Sequence, residues 1–233
     1  MTASPHIVVV GAGTLGMCTA ANLAMRGARV TVIDAGAVAS GSSGRSVGVV
    51  GTQFTDAFDI MLRVHSLRQL RQWEGFGLSF HRIGYLRLAR THAQMALLAR
   101  SVALQGEKGL TARLYEASEL RQIVPHINPE GLAGGIFGPD DGFLDPHEMC
   151  MLLAAMVKEH GGQVRQFCRL LGVARRHGGY LLETSGGIID CDMVVNAAGA
   201  WAPAVAALFG QRLHICPERH EAVLIHLDEP LGY

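Results

Sequence analysis

The chain has 233 residues, 49% hydrophobic and 17% charged, with twenty lysines and arginines against twenty aspartates and glutamates. That balance excludes an intrinsically disordered chain, and a net charge of zero leaves no electrostatic footprint for nucleic acid or an anionic membrane surface. At about 150 residues per domain the length suits one large domain or a domain and a half, and 29 glycines beside 6% aromatics imply many tight turns and close backbone approaches.

The N-terminal Met1–His6 lacks a basic segment, and the apolar run Ile7–Val10 is too short for a signal peptide or a membrane span. No other stretch reaches the ~18 uninterrupted apolar residues a transmembrane helix needs. Cys18, Cys150, Cys168, Cys191 and Cys216 are odd in number, widely spaced and free of a C-x-x-C pair, which predicts reduced thiols in a cytoplasmic protein. The eleven histidines contain no H-x-x-x-H pair, so no metal site is expected.

The β-branched run His6–Val10 predicts a strand buried on both faces. Gly11-Ala-Gly13-Thr-Leu-Gly16 follows at once, and Thr14–Arg26 predicts a helix that Gly27 stops. A second strand, Arg29–Ile33, ends at Asp34. Together these make a βαβ opening with a G-x-G-x-x-G turn and an acid closing strand two, the dinucleotide fingerprint. Gly11 permits the tight turn, Gly13 a close approach to a pyrophosphate, and Gly16 close packing of helix on sheet. The helix N-terminus offers free N–H groups and a positive dipole end to phosphates. Asp34 is placed to accept from the adenosine ribose hydroxyls, and its charge disfavours the 2′-phosphate of NADP. The fingerprint alone does not separate FAD from NAD.

Ala35–Gly51 is too rich in small residues to build a core, so it is either a linker or lies against something. Its serines and Arg45 among glycines suit a second anion-facing surface. At this point the sequence resembles the FAD-dependent D-amino-acid-oxidase superfamily, in the branch of glycine oxidase and the sarcosine oxidase β-subunit. The likeness rests on Val8–Gly16 with Asp34, Ser40–Gly48, Ile83–Ala89 with Asp141–His147, and Val194–Trp201, in that order along almost the whole chain. It implies that Ser42, Ser43, Val47, Gly48 and Val49 lie beside the flavin diphosphate and ring, and that Thr14, Leu15 and Ala35 join them, with Arg45 a cofactor candidate from its place on the anion-facing surface. An NAD-dependent dehydrogenase ranks last, because it leaves the Ser40–Gly51 loop unexplained.

Further along, Thr55–Trp73 has helical spacing and Phe80–Ala89 alternates like a strand. His92–Gln105 and Ser118–Ile123 predict helices and Leu110–Tyr115 a strand. Pro139–Gly142 is turn-rich, and a helix is expected from Asp145 to about His160, with Asp145 as N-cap, Pro146 at the first helical position and Glu148 three residues on. Capping therefore accounts for Asp145 better than catalysis does. Gly162–Phe167 predicts a strand, and in the resembled family the next strand offers backbone groups to the adenine, which matches Val173. Tyr180–Thr184 and Ile188–Cys191 predict a hairpin, and Asp192–Asn196 a buried strand ending at Ala197-Ala-Gly199. Gly199 either lets backbone approach the flavin nucleotide or serves a tight strand-to-helix turn. Asn196 and Trp201 read as a turn residue and a helix anchor. Arg219-His220-Glu221 before Ala222–Leu227 is a weaker substrate-side candidate.

The expected architecture is α/β: a Rossmann-like FAD-binding domain over 1–80 and 160–215, with an inserted antiparallel α+β substrate domain over 81–159 and 216–233. Relatives of this kind run longer, so the resemblance implies a substrate domain incomplete at the C-terminus and lacking the family's last third. The implied activity is oxidation of a small amine or amino acid, such as sarcosine, glycine, a D-amino acid or proline, by hydride transfer to flavin N5 with hydrolysis of the imine. The implied partners are that substrate and an electron acceptor. The alternative is a truncated FAD-binding subunit or remnant, inactive without a completing chain. No catalytic residue is assigned.

Overall fold

A computed structural model of the chain describes residues 4–221 together with Val223 and His226. The elements begin β1 (His6–Val10), α1 (Thr14–Met25), β2 (Arg29–Ile33), β3 (Val49–Val50), α2 (Ala57–Glu74), β4 (Phe80–His81), β5 (Tyr85–Ala89), α3 (His92–Glu107) and β6 (Arg113–Glu116). They continue β7 (Gly134–Gly138), β8 (Gly142–Leu144), α4 (Pro146–Glu159), β9 (Gln163–Arg165), β10 (Leu170–Arg176), β11 (Gly179–Thr184), β12 (Gly187–Cys191), β13 (Met193–Asn196) and α5 (Ala202–Leu208). Two compact units result, one built on Met1–Val47 and Asp145–Glu221, the other on Gly48–Leu144.

In the first unit a four-stranded sheet runs β13-β1-β2-β9 with every pair parallel. All five residues of β1 are buried, as a continuous β-branched run demands when both faces are covered. Val8, Val10 and Ile33 turn to one face, where they meet Cys168, Leu182, Ile189 and Cys191 of the antiparallel sheet β10-β11-β12 and its neighbours. Alternation sends Val9, Val30 and Val32 to the other face, where α1 and α4 lie. Apart from Met17 the buried residues of α1 are small (Gly16, Ala20, Ala21, Ala24), and α4 packs against this helix with Met149, Leu153 and Val157 among its own buried residues. This packing puts 146–159 with the nucleotide-type strands; the units part at 47/48 and 144/145, where the sequence predicts partings at 80/81 and 159/160.

The second unit holds two three-stranded antiparallel sheets, β3-β8-β4 and β5-β7-β6, with α2 and α3. Ala89, Leu98 and Ile136 form a small core, supported by Met95, Val102, Ala112 and Leu114. Helix starts follow local chemistry: Asp56 caps α2 by accepting from the N–H groups of Phe58 and Asp59, and Thr91 with Gln94 forms a capping box on α3.

Three expectations change. Phe80–Ala89 is two strands in different sheets, because Gly84 takes φ +78° with its backbone against Phe137, where a Cβ would stand 2.2 Å from Cζ. Ser118–Ile123 is a 3-10 turn over Ala117–Gln122. The strands β3, β7 and β8 were not anticipated, since a glycine-rich stretch such as 134–144 shows turn chemistry and no alternation. Arg219–Glu221 is exposed and irregular, and the strand predicted over 222–227 lies largely outside the described residues.

Candidate cofactor site

The turn between β1 and α1 is shaped by contacts that exclude side chains. Gly11 has φ +113°, and a Cβ there would stand 2.3 Å from the Ala197 carbonyl oxygen at the end of β13. A Cβ on Gly16 would stand 1.8 Å from the Gly11 carbonyl oxygen, so no side chain fits in this first turn. The close packing expected of Gly16 is therefore against the turn itself and the Ala197 methyl, 3.3 Å from the same point.

Asp34 closes this turn. One carboxylate oxygen accepts the Ala12 N–H at 2.7 Å and the other the Gly36 N–H at 2.7 Å. Each oxygen keeps a lone pair for a hydroxyl, so the acid holds the loop while remaining an acceptor. Ala35 and Leu15 are exposed, which limits any role of Leu15 at the turn to its backbone.

The loop after β2 folds back over α1. Ala39 N–H donates to the Ala12 carbonyl at 3.0 Å, and Ala39 itself is buried at φ +60°, a left-handed conformation that costs a non-glycine residue about 1 kcal/mol. Gly44 then packs on Ala39, where a Cβ would meet the Ala39 carbonyl oxygen at 2.4 Å. The resulting 3-10 turn Ser43–Arg45 brings the Ser43 hydroxyl to the start of α1, where it accepts the Thr14 N–H at 2.9 Å. A Cβ on Gly13 would stand 2.9 Å from that same hydroxyl oxygen. The Ser43 proton is left to donate to an anion, beside a helix N-terminus with no side-chain cap and no acid in its first turn. A turn whose glycines leave no room for a Cβ, a donor hydroxyl and a helix N-terminus without an acid in its first turn are what a dinucleotide diphosphate requires, and the residues present fit it.

Gly11, Gly13, Thr14, Gly16, Asp34 and Ser43 are thus brought together. Ser42 and Arg45 lie on the same 3-10 segment with exposed side chains, and Val47 is 65% exposed at its end. Val173, on β10, turns its side chain to the core cluster of Val8, Val10 and Ile33, so only its backbone is available to a ligand. Gly199 has φ +53° and a Cβ there would meet nothing within 4 Å, so its glycine serves the strand-to-helix turn; the close approach falls on Ala197 and Gly11. Asn196 is a turn residue, its amide donating to the Ala202 carbonyl at 2.8 Å and accepting from the Ala198 N–H. Trp201 is 64% exposed, so it is not a buried anchor of α5. In the second unit Gly48 (φ +67°) precedes β3, and exposed Val49 begins it opposite Phe143.

Sequence reasoning did not find Ala12 and Ala39, which act through backbone groups that residue type does not signal; Ala197 stands in the small-residue run at the end of β13 that the sequence does single out. Asp145 caps α4, accepting from the N–H groups of His147 and Glu148. Thr14 also faces Cys150 (3.9 Å), and burial pushes both the Cys150 thiol and that of Cys18 upward, Cys18 to about 11. Those thiols remain protonated and are poor nucleophiles.

A parallel βαβ unit with this turn defines a dinucleotide-binding protein. Residues 6–232 match the DAO family of FAD dependent oxidoreductases, and the chain belongs to that family. It is 26% identical over 241 residues to glycine oxidase of Geobacillus kaustophilus (strain HTA426), covering 99% of this chain and 64% of that protein. Sarcosine dehydrogenase, mitochondrial, of Homo sapiens is 26% identical over 237 residues, 96% of this chain and 26% of that protein. Among solved structures, L-proline dehydrogenase from P. horikoshii superposes with a TM-score of 0.81 at 30% identity, covering 90% of this chain and 57% of that one. The chain thus spans less than two thirds of the length of these relatives. Among the described residues no helix is long and apolar enough to cross a membrane.

Proposed function

We propose that this protein binds FAD through the turn at Gly11–Gly16 and oxidises a small amine or amino acid of the sarcosine, glycine, D-amino acid or proline kind. The observation that carries the reading is the meeting of the α1 N-terminus, the Ser43 hydroxyl and the Asp34 carboxylate around a turn that leaves no room for a Cβ at Gly11 or Gly16. In this reading the α1 N–H groups and the Ser43 O–H hold the diphosphate, with Gly13, Thr14, Leu15, Ser42 and Arg45 beside it. Asp34 accepts from the ribose, with Ala35 next to it. The backbone of Val173 faces the adenine, and Val47, Gly48 and Val49 border the flavin ring. Gly199 keeps its turn open beside the nucleotide. Bound FAD supplies a two-electron oxidant for the carbon–nitrogen bond, and the imine that results is hydrolysed by water. The chain's contribution is orientation and charge placement. The names of the relatives favour an amine or amino-acid substrate. A cytoplasmic setting and an external electron acceptor belong to the same proposal.

The test is the visible absorption spectrum after incubation with FAD and gel filtration, followed by anaerobic titration with small amines. A retained flavin band that bleaches with one amine is the expected result. A retained band that no amine bleaches favours the second reading, an FAD-binding subunit completed by another chain. Loss of the band on the column overturns FAD binding by this chain.

A further inference from the structure

Five of the eight buried polar side chains among the described residues stand at one place in the second unit: Thr52, Gln53, Ser101, Gln105 and Asp141. Asp141 is fully buried on the turn between β7 and β8. One of its oxygens accepts the Thr52 N–H at 2.9 Å and faces the Thr52 hydroxyl at 2.8 Å; the other accepts from the Gln53 amide at 3.3 Å. That amide also donates to the Tyr85 carbonyl. The Thr52 hydroxyl lies 3.2 Å from the Gln105 side-chain oxygen, the Gln105 amide donates to Ser101 at 2.9 Å, and the Ser101 hydroxyl donates to the Phe54 carbonyl at 2.6 Å. Arg87 donates to the Gln53 carbonyl at 2.7 Å.

Three consecutive residues, Thr52, Gln53 and Phe54, are therefore held by a relay that begins at one carboxyl. They follow β3 after Gly51, and before β3 the Gly48 carbonyl accepts the Leu144 N–H of β8. Burying this much polar surface is costly unless its bonds are made, and here the Gln53 side-chain oxygen is buried without a partner. The single Thr52 proton faces two acceptors, a conflict that disappears when Asp141 carries a proton and donates to Thr52. Burial, with Asp140 next to it, raises the Asp141 carboxyl above the usual carboxylate range, in the same direction. The surrounding glycines fit around it: a Cβ on Gly138 would stand 2.7 Å from the Asp141 carboxylate.

We propose that Asp141 is a positioning residue: it holds Thr52–Phe54 and through them the backbone of Gly48 and Val49, the residues of this unit that the FAD reading gives to the cofactor. This rests on the FAD reading above, through the part given there to Gly48 and Val49. Hydrogen exchange of the flavin-free chain is measured first, comparing wild type with Asp141→Leu, Asp141→Asn, Thr52→Val and the control Asp140→Asn. Removal of the relay's acceptor should speed exchange about tenfold or more in peptides covering 48–56, as expected for unmade buried bonds, while β1 and α1 are unchanged. Asp141→Asn, which keeps an acceptor for the Thr52 N–H, should restore most of the protection. Thr52→Val, which keeps the shape, should show a smaller loss at the same place should the leucine variant fail to fold. The visible circular dichroism of bound FAD is then recorded; Asp141→Leu and Thr52→Val should alter it, and Asp140→Asn should not. Unchanged exchange over 48–56, or a uniform rise throughout the chain, would overturn the positioning role. So would a local rise with an unaltered flavin spectrum. Failure of wild type to retain FAD would instead overturn the cofactor reading, with the exchange data still deciding whether Asp141 holds the segment.

Discussion

Gly11 is the residue at which the site is least tolerant. Its φ of +113° and the 2.3 Å approach of the Ala197 oxygen mean that alanine is strained twice over, in conformation and in space. Gly11→Ala should lose about 2 kcal/mol or more of stability, read by urea unfolding, and with it FAD retention. Asp141 makes a prediction of the opposite chemical kind. Its carboxyl is raised in the folded chain above the 3.8 of an ordinary aspartate, so the native state holds the proton more tightly than the unfolded one. Its contribution is present below pH 3.8 and is lost as pH rises through the folded value. Wild type minus Asp141→Asn should therefore show a stability difference that declines with pH over that window. Asp140 and Arg87 are the charged neighbours whose substitution must be compared. Glu74, lowered by its bond to Arg82, and Asp192, lowered by the His6 N–H and Arg176, work in the reverse sense, losing stability as pH falls.

At the scale of elements, α4 tests the separation of structure from chemistry. Asp145 accepts two N–H groups at the helix start, with Pro146 behind it. Asp145→Ala should cost about 1 kcal/mol, a few degrees in Tm by calorimetry, and should leave the spectrum of bound FAD as it was. A change in the flavin spectrum at unaltered Tm would assign Asp145 to the site instead. Much of this level was legible beforehand. The Asp145-Pro146-x-Glu148 start, the hairpin of β11 and β12, and the opening βαβ each depend on neighbours in sequence, and each is present. Those that were not legible share a cause. β3, β7 and β8 are short strands whose pairing partners are distant in sequence, and the kink at Gly84 depends on the Phe137 ring more than fifty residues away. A period-two pattern cannot report a contact that distant residues create.

For the molecule as a whole, ligand linkage provides the measure. A cofactor that binds only the folded chain adds about 2.7 kcal/mol at a hundredfold excess over Kd. FAD should therefore raise the Tm of wild type in proportion to log concentration and leave that of Gly11→Ala unmoved, by differential scanning fluorimetry. An equal rise in both would remove the glycine turn from the site. Local sequence by itself determined the βαβ opening, its glycines, Asp34 and the capped helices, because each is a short-range requirement of backbone geometry or of an unsatisfied N–H. Only the tertiary structure decided that Ser43 meets Thr14, that the Ala197 carbonyl closes on Gly11, and that Asp141 is buried in a relay with Thr52, Gln53, Ser101 and Gln105. These are meetings of segments between 29 and 186 residues apart, and burial and hydrogen-bond satisfaction select them only once the chain has folded.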